Sequence, residues 1–228
     1  MPRDADNWAV FGAAAGAIGV ALFAVGGVLL SDRPSFDTSG PEIAAWFDSE
    51  RTKIQVATVF FAASAPFVVW FLATVASLAQ AGAAGTRRAG TVAYGCGLVF
   101  LALLMADVTM TAVGALRPGN MARAPELAAA LQDIELLLMG TAAFLVAGIF
   151  AAFAVITLRD RALWPAWFGW LAAATALVYP LRVGTLFTTQ GAFAGDGVLG
   201  LWVPAVSLMA TLGIGSIVLA LRVRAASA

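Results

Sequence analysis

Four charged residues lie within or beside long apolar segments, where ionised side chains are costly and are therefore functional candidates. Asp107 is the strongest, because the apolar residues that precede it from 92 to 106 are too few to cross a bilayer. The helix must include Asp107 and continue beyond it, which predicts a carboxylate near the middle of the membrane. Thr111 follows one helical turn later on the same face.

Arg182, Asp133 and Glu135 are weaker candidates, because each can lie at the end of a span. The run from 163 to 181 nearly crosses the bilayer without Arg182, whose long side chain can extend to the interface. The run from 136 to 158 crosses it without Asp133 or Glu135. These two acids are two positions apart, about 200° around a helix, so they cannot face the same neighbour.

The order of the spans places these charged residues in the same half of the membrane. Asp107, Asp133, Arg182 and Tyr179 could form one polar pocket that opens away from the cytoplasm. Three interpretations are open. The first is an Asp107–Arg182 ion pair that only sets helix register. The others are a binding site for a substrate, ion or proton, and a protonated Asp107 without a role.

Composition excludes several kinds of catalytic chemistry. The chain has no histidine, which excludes His-held haem, His-ligated zinc or copper and a Ser-His-Asp triad. The single cysteine, Cys96, excludes an intramolecular disulfide, a CxxC pair and a cysteine-ligated iron–sulfur cluster. No P-loop or Gly-x-Ser-x-Gly motif occurs, and the one lysine, Lys53, lies at a span boundary. We therefore expect a non-enzymatic protein without a metal or another cofactor.

The composition also indicates that this chain lies in lipid. Its 228 residues are 61% hydrophobic and only 11% charged, with a mean hydropathy of +0.91. Soluble domains carry about 25% charged residues. This composition makes the lipid bilayer the expected partner. Thirteen basic and thirteen acidic residues cancel in charge, so we expect no binding of nucleic acid.

Six segments are long and apolar enough to be membrane-spanning helices of about 20 residues. They cover residues 8–30, 54–80, 91–116, 133–157, 163–187 and 198–221. Pro66, Pro180 and Pro204 lie inside these segments and predict kinks. The expected fold is all-α: a polytopic membrane protein with one domain over 1–228, in which six transmembrane helices form a bundle.

Basic residues predict the orientation of this bundle. Seven lie at the amino terminus, the second and fourth loops and the tail, against five in the first and third loops. The positive-inside rule then places both termini in the cytoplasm.

The first loop contains the helix-start pattern Ser39-Gly40-Pro41-Glu42. We expect a short interfacial helix over 41–52, either as a cap over the bundle or as a partner-docking or gating element.

Glycines on one face of the first span predict a close helix contact. Gly12, Gly16, Gly19 and Gly26 are spaced by four, three and seven residues and share that face. The Gly12-x-x-x-Gly16 pair allows another backbone to approach closely. The neighbour can be another helix of this chain, a second copy in a homo-oligomer, or a subunit of a larger complex.

Two short motifs carry a resemblance to a group of bacterial proteins. Arg159-Asp-Arg-Ala-Leu-Trp-Pro-Ala-Trp-Phe-Gly-Trp170 enters the fifth span, and Pro41-Glu-Ile-Ala-Ala-Trp-Phe47 leads into the second. Both are similar to segments of small six-helix integral membrane proteins of high-GC bacteria, which are mostly domains of unknown function. Twelve arginines against one lysine agree with a GC-rich genome. The resemblance implies six helices and a bacterial inner membrane, and it implies no activity.

Two functions are compatible with these features. The first is a small carrier or binding protein for a small or lipophilic molecule, with Asp107 and Arg182 lining a site in the non-cytoplasmic half of the bundle. The second is a non-catalytic accessory subunit of a larger membrane complex, docked through the glycine face of the first span.

Overall fold

The structure, a computed structural model, describes residues 2–161 and 163–226, with side chains from Asn7 onward. These residues form helices and turns, without a strand. The α-helices are α1 (Pro2–Leu29), α2 (Gly40–Ser49), α3 (Arg51–Ala79), α4 (Ala84–Gly114), α5 (Pro125–Thr141), α6 (Ala143–Asp160), α7 (Ala166–Val178) and α8 (Val203–Ala226). Short 3₁₀ segments cover Met121–Arg123 and Tyr179–Leu186, and a π-helical turn covers Val198–Trp202.

Five helical segments in the described part of the chain are long and apolar enough to cross a membrane. They are Asn7–Leu29, Arg51–Ala79, Ala84–Gly114, Pro125–Asp160 and Val198–Ala226. The all-α prediction is therefore confirmed, and the chain is a multi-pass membrane protein in contact with the lipid bilayer. The fourth segment combines α5 and α6, which meet at Ala142.

The fifth predicted span differs from the prediction of one long helix over 163–187. Its α-helix, α7, has 13 residues, and the chain continues as a 3₁₀ helix of eight residues from Tyr179. Pro180 explains the change, because it lacks the N–H for an α-helical hydrogen bond and its ring clashes with the preceding turn. At about 1.5 Å per residue, α7 alone is about 20 Å long, shorter than the hydrocarbon core.

The other two prolines that predict kinks do not interrupt an α-helix. Pro66 lies inside α3, which continues on both sides of it, so no break occurs there. Pro204 lies in the first turn of α8, directly after the π-helical turn, where a missing N–H costs little.

Several helices begin earlier than the apolar runs predict, and the difference is largest for α4 and α5. The fourth predicted span starts at 133, but α5 starts at Pro125, with Glu126 in its first turn. The third predicted span starts at 91, but α4 starts at Ala84. Proline at the first helical position and an acid in the first turn both favour the earlier start of α5. Apolar runs mark the membrane-embedded part of a helix, whereas the helix itself continues into polar residues.

The connections gather at two ends of the bundle. At one end, which we call the arginine end, Asp160 lies against Gly82, Arg159 lies against Gly85, and Arg222 donates to the carbonyl of Arg161 at 3.1 Å. The turn before α4, the end of α6 and the end of α8 therefore lie together.

The opposite end, which we call the cap end, contains the residues around 30–50, 115–125 and 187–197. The Gly119 N–H donates to Asp48 at 2.8 Å, and Gly40 lies against the carbonyl of Pro125. Gly195 packs against Phe36. Because α6 ends at the arginine end and residue 195 lies at the cap end, α7 and its 3₁₀ continuation connect the two ends.

Helix α2 closes the cap end. The short helix expected over 41–52 is present over Gly40–Ser49 and buries one face of apolar side chains. The cluster that it joins comprises Ile43, Ala44, Trp46, Phe47, Ile54, Ala115, Met121 and Ala128. Arg51, at the start of α3, donates to the carbonyls of Ala115 and Leu116 at 3.0 and 2.9 Å. The helix therefore packs as a cap on the ends of α4 and α5.

The glycine face of α1 is filled by helices of the same chain. A side chain at Gly16 would collide with Phe71 of α3 and Ser216 of α8. The other contacts are Gly12 with Thr74, Gly19 with Val68, and Gly26 with Phe61. Ser216 strengthens the crossing, because its Oγ accepts from the Ala17 N–H at 2.8 Å and donates to the Ala13 carbonyl at 2.5 Å. Close packing within the chain is thus the use that the structure gives to these glycines.

Candidate functional site

A cluster of charged and polar side chains lies inside the bundle near the cap end. Its centre is Glu135 on α5, which forms an ion pair with Arg33 of the first loop. Both side chains are largely buried, at 17% and 15% exposed. Thr111 on α4 donates to the second carboxylate oxygen of Glu135 at 3.0 Å and lies 3.2 Å from the Asp107 carbonyl. Two helices and one loop therefore meet at Glu135.

Arg33 reaches this position because the first loop turns inward. Gln132, almost fully buried on α5, donates from Nε2 to the carbonyls of Pro34 and Ser35 at 3.2 and 3.1 Å. The Phe36 ring lies 5.3 Å from the Arg33 guanidinium carbon, within the range of a cation–π contact. These contacts fix the loop against the bundle.

Arg33 is a site residue that the sequence does not reveal. It lies in a polar loop, where basic residues are normally solvated. The sequence around it does not distinguish it from the other basic residues of that loop, Arg51 and Lys53. The informative neighbour is Gln132, which lies three residues before Glu135 on the helix. Because α5 starts at Pro125, Gln132 and Glu135 share a helical face that the apolar run alone does not indicate.

Asp107 lies next to this cluster, and its carboxylate has fewer hydrogen-bond partners than that of Glu135. Its side chain is buried, at 6% exposed, and its Oδ1 atom has no hydrogen-bond partner among the described residues. The charges close enough to act on the carboxylate are Glu135, Arg33 and Arg182. Buried polar groups are normally hydrogen-bonded, so an unpaired carboxylate oxygen is costly and demands an explanation.

Arg182 acts on this site by charge, but it lies too far from Asp107 to form the expected ion pair with it. It is half-buried on the 3₁₀ segment and acts electrostatically on both Asp107 and the buried Tyr179. The ion pairs of the described side chains include Arg33–Glu135, Lys53–Asp32 and Lys53–Glu50, and none of them joins Asp107 to Arg182. The arginine in direct contact with a carboxylate of the site is therefore Arg33.

Asp133 lies apart from the cluster. It is exposed and lines an open, shallow depression at the cap end together with Thr185, Phe187 and Gln190. Asp133 and Glu135 occupy different faces of α5, as their two-residue spacing predicts. The structure thus brings Asp107, Thr111 and Glu135 together and places Arg182 within electrostatic range of both Asp107 and Tyr179. It leaves Asp133 at the surface.

The arrangement of these groups can bind a ligand by charge and hydrogen bonding. In the described part of the chain, no group of three or more His, Cys, Asp or Glu side chains could hold a metal ion. The Arg33 guanidinium and the Glu135 carboxylate compensate each other's charge. The free acceptor at Asp107 Oδ1 remains the atom to which a ligand can donate.

Comparison with known proteins does not add a function to this geometry. No protein-family model, no curated protein and no solved structure matches this chain. The likeness to small six-helix membrane proteins of high-GC bacteria therefore stays a prediction. Any assignment has to be argued from the charged cluster and the bundle around it.

Proposed function

We propose that this chain is a small carrier or binding protein of a bacterial cytoplasmic membrane, with Asp107 in its ligand site. The observation that supports the proposal is the buried Asp107 Oδ1 without a hydrogen-bond partner. A protein retains such a costly group where it contributes to function. The role is non-catalytic, because the sequence contains no nucleophile–base set.

The proposed bundle crosses the membrane six times. Helix α7 and the 3₁₀ segment that follows supply the crossing missing from the long helices. At about 1.5 Å per α-helical residue and about 2.0 Å per 3₁₀ residue, Ala166–Leu186 is longer than the roughly 30 Å hydrocarbon core. Both termini then lie on the side of the arginine end, which the positive-inside rule assigns to the cytoplasm.

The proposed ligand has a hydrogen-bond donor or a positive charge and an apolar body. Arg33 already neutralises Glu135, whereas Asp107 has only longer-range arginine charge and a free acceptor atom. An ammonium or hydroxyl group of a ligand would satisfy that atom. Leu104 and Val108, which flank Asp107 on α4, belong to an apolar cluster that suits a lipophilic body.

The accessory-subunit alternative has less support. It relied on the glycine face of α1 as a docking surface, and that face packs against α3 and α8. We therefore do not propose a partner subunit at Gly12, Gly16, Gly19 or Gly26.

The test is native mass spectrometry of protein extracted gently from its own membrane. The wild-type chain should carry a discrete small-molecule mass, and Asp107→Asn should lose it because the amide has no charge and one acceptor fewer. Asp133→Asn is the matched control, since Asp133 is exposed and lies outside the cluster. A wild-type protein without a bound mass, or equal retention by Asp107→Asn, would contradict the proposed function.

A further inference from the structure

Six exposed arginines surround the arginine end of the bundle. They are Arg87 and Arg88 in the first turn of α4, Arg159 and Arg161 at the end of α6, and Arg222 and Arg224 at the end of α8. Asp160 is the acidic residue at this end whose side chain the structure describes. The end is therefore strongly positive, although the whole chain has a net charge of zero.

Helix packing brings these arginines onto adjoining surfaces. The Arg159 guanidinium lies over Gly85, so the end of α6 and the start of α4, with Arg87 and Arg88, share one positive surface. Arg222 donates to the carbonyl of Arg161 at 3.1 Å, which joins the end of α8 to the same region. The charge thus spans three helix ends rather than one loop.

Aromatic residues indicate the depth of this surface. Trp8 at the start of α1, and Trp167 and Trp170 at the start of α7, are all exposed at the same end. Exposed tryptophans in membrane proteins concentrate at the headgroup level. The arginines beside them therefore lie where lipid phosphates are found.

Four of these arginines are not neutralised by an ion pair in the described part of the chain. Arg87, Arg88, Arg159 and Arg161 take part in none of the ion pairs found among the described side chains. The basic partners in those pairs are Arg33, in the charged cluster, and Lys53, at the cap end. Guanidinium groups bind phosphate oxygens in pairs of hydrogen bonds, so a phosphodiester is a well-matched counter-charge.

We propose that the arginine end is a binding surface for the headgroup of an anionic phospholipid. The phosphate lies between the start of α4 and the end of α6, with Arg159 and Arg161 as its principal contacts. The acyl chains follow the apolar, lipid-facing sides of the helices below. Juxtamembrane basic clusters attract anionic lipid by about 1 kcal/mol per residue, so several arginines give a preference of tenfold or more over a zwitterionic lipid.

The experiment measures lipid preference by native mass spectrometry of the full-length protein in detergent. The probes are phosphatidylglycerol and phosphatidylcholine of identical acyl chains, added at equal concentration. The wild-type protein should retain about tenfold more phosphatidylglycerol. Arg159→Gln/Arg161→Gln should reduce this preference to about threefold or less, and Arg87→Gln/Arg88→Gln should reduce it as well.

The control is Arg117→Gln/Arg123→Gln, which removes the same charge from the cap end. It should keep the wild-type preference. Equal retention of the two lipids by the wild type, or an equal loss in the control, would overturn the proposal. All four altered arginines at the arginine end are exposed, and unchanged melting temperatures would verify that each variant is folded.

Discussion

At the scale of single residues, the site depends on which polar groups are satisfied. Glu135 has an arginine and a threonine hydroxyl as partners, whereas Asp107 Oδ1 has none. The sequence singles out Asp107 because its position follows from the minimum length of a span, and in the structure its side chain is buried. It cannot predict Arg33 as the partner of Glu135, because that contact depends on how the first loop folds back over α5.

Replacing Asp107 by asparagine should stabilise the protein while removing ligand binding. A buried carboxylate without a partner is unfavourable, and the neutral amide has nearly the same shape. We expect an increase of about 1 kcal/mol in the free energy of unfolding, measured by denaturant titration in mixed micelles. An unchanged or reduced stability would show that the carboxylate is not a destabilising charge.

The hydrogen bond from Thr111 to Glu135 can be tested with a matched pair of substitutions on one helix. Thr111→Val removes a donor to a carboxylate and should cost roughly 1.5–3 kcal/mol of stability. Thr109→Val removes an exposed hydroxyl that bonds only to Met105 of its own helix, and it should change stability by less than about 0.5 kcal/mol. Equal effects of the two substitutions would exclude a specific role for the Thr111 contact.

The cap end contains a surface charge pair whose titration has a defined direction. Lys53 contacts Asp32 by an ion pair, and this hydrogen bond lowers the pKa of Asp32 below 3.8. Because the pKa of Asp32 is lower in the folded state than in the unfolded state, the pair stabilises the fold at pH values above the unfolded-state pKa. This stabilisation is lost as the pH falls through the folded-state pKa. NMR titration of Lys53→Gln should show the Asp32 pKa returning upward, and an unchanged pKa would contradict the contact.

At the scale of helices, apolar runs predict most of the fold. Long runs identify five segments because burial in lipid requires about 20 apolar residues, whatever the neighbouring helices do. The α-to-3₁₀ change after Val178 is less predictable from the same runs. Pro180 and Pro66 carry the same local signal, yet α3 continues through Pro66, so the surrounding packing decides the outcome.

The glycine face of α1 provides a prediction at this scale. Gly16→Leu should destabilise the protein by roughly 1–3 kcal/mol, because the new side chain would collide with Phe71 and Ser216. Gly27→Leu is the control on the same helix, since open space surrounds that position. Both are measured as melting temperatures, with oligomeric state checked by native mass spectrometry. Normal stability of Gly16→Leu with loss of an oligomer would instead indicate an intermolecular role.

At the scale of the whole molecule, the two ends differ in both charge and construction. The cap end is closed by α2 and the first loop, whereas the arginine end presents exposed cations between short connections. This asymmetry agrees with a fixed orientation in the membrane. It also makes the proposed sixth crossing testable, because Ala166–Leu186 must carry the chain from one end to the other.

Single-cysteine labelling tests that crossing. On a Cys96→Ala background, Ser39→Cys and Thr189→Cys report the cap end, and Ala81→Cys reports the arginine end, since all three positions are exposed. In intact spheroplasts, a membrane-impermeant maleimide should label positions 39 and 189, and position 81 only after lysis. If position 189 behaves like 81, Ala166–Leu186 does not cross, because a segment that returns to its starting side leaves both its ends in the same compartment. If only position 81 is labelled in intact spheroplasts, the six crossings stand and the orientation is reversed.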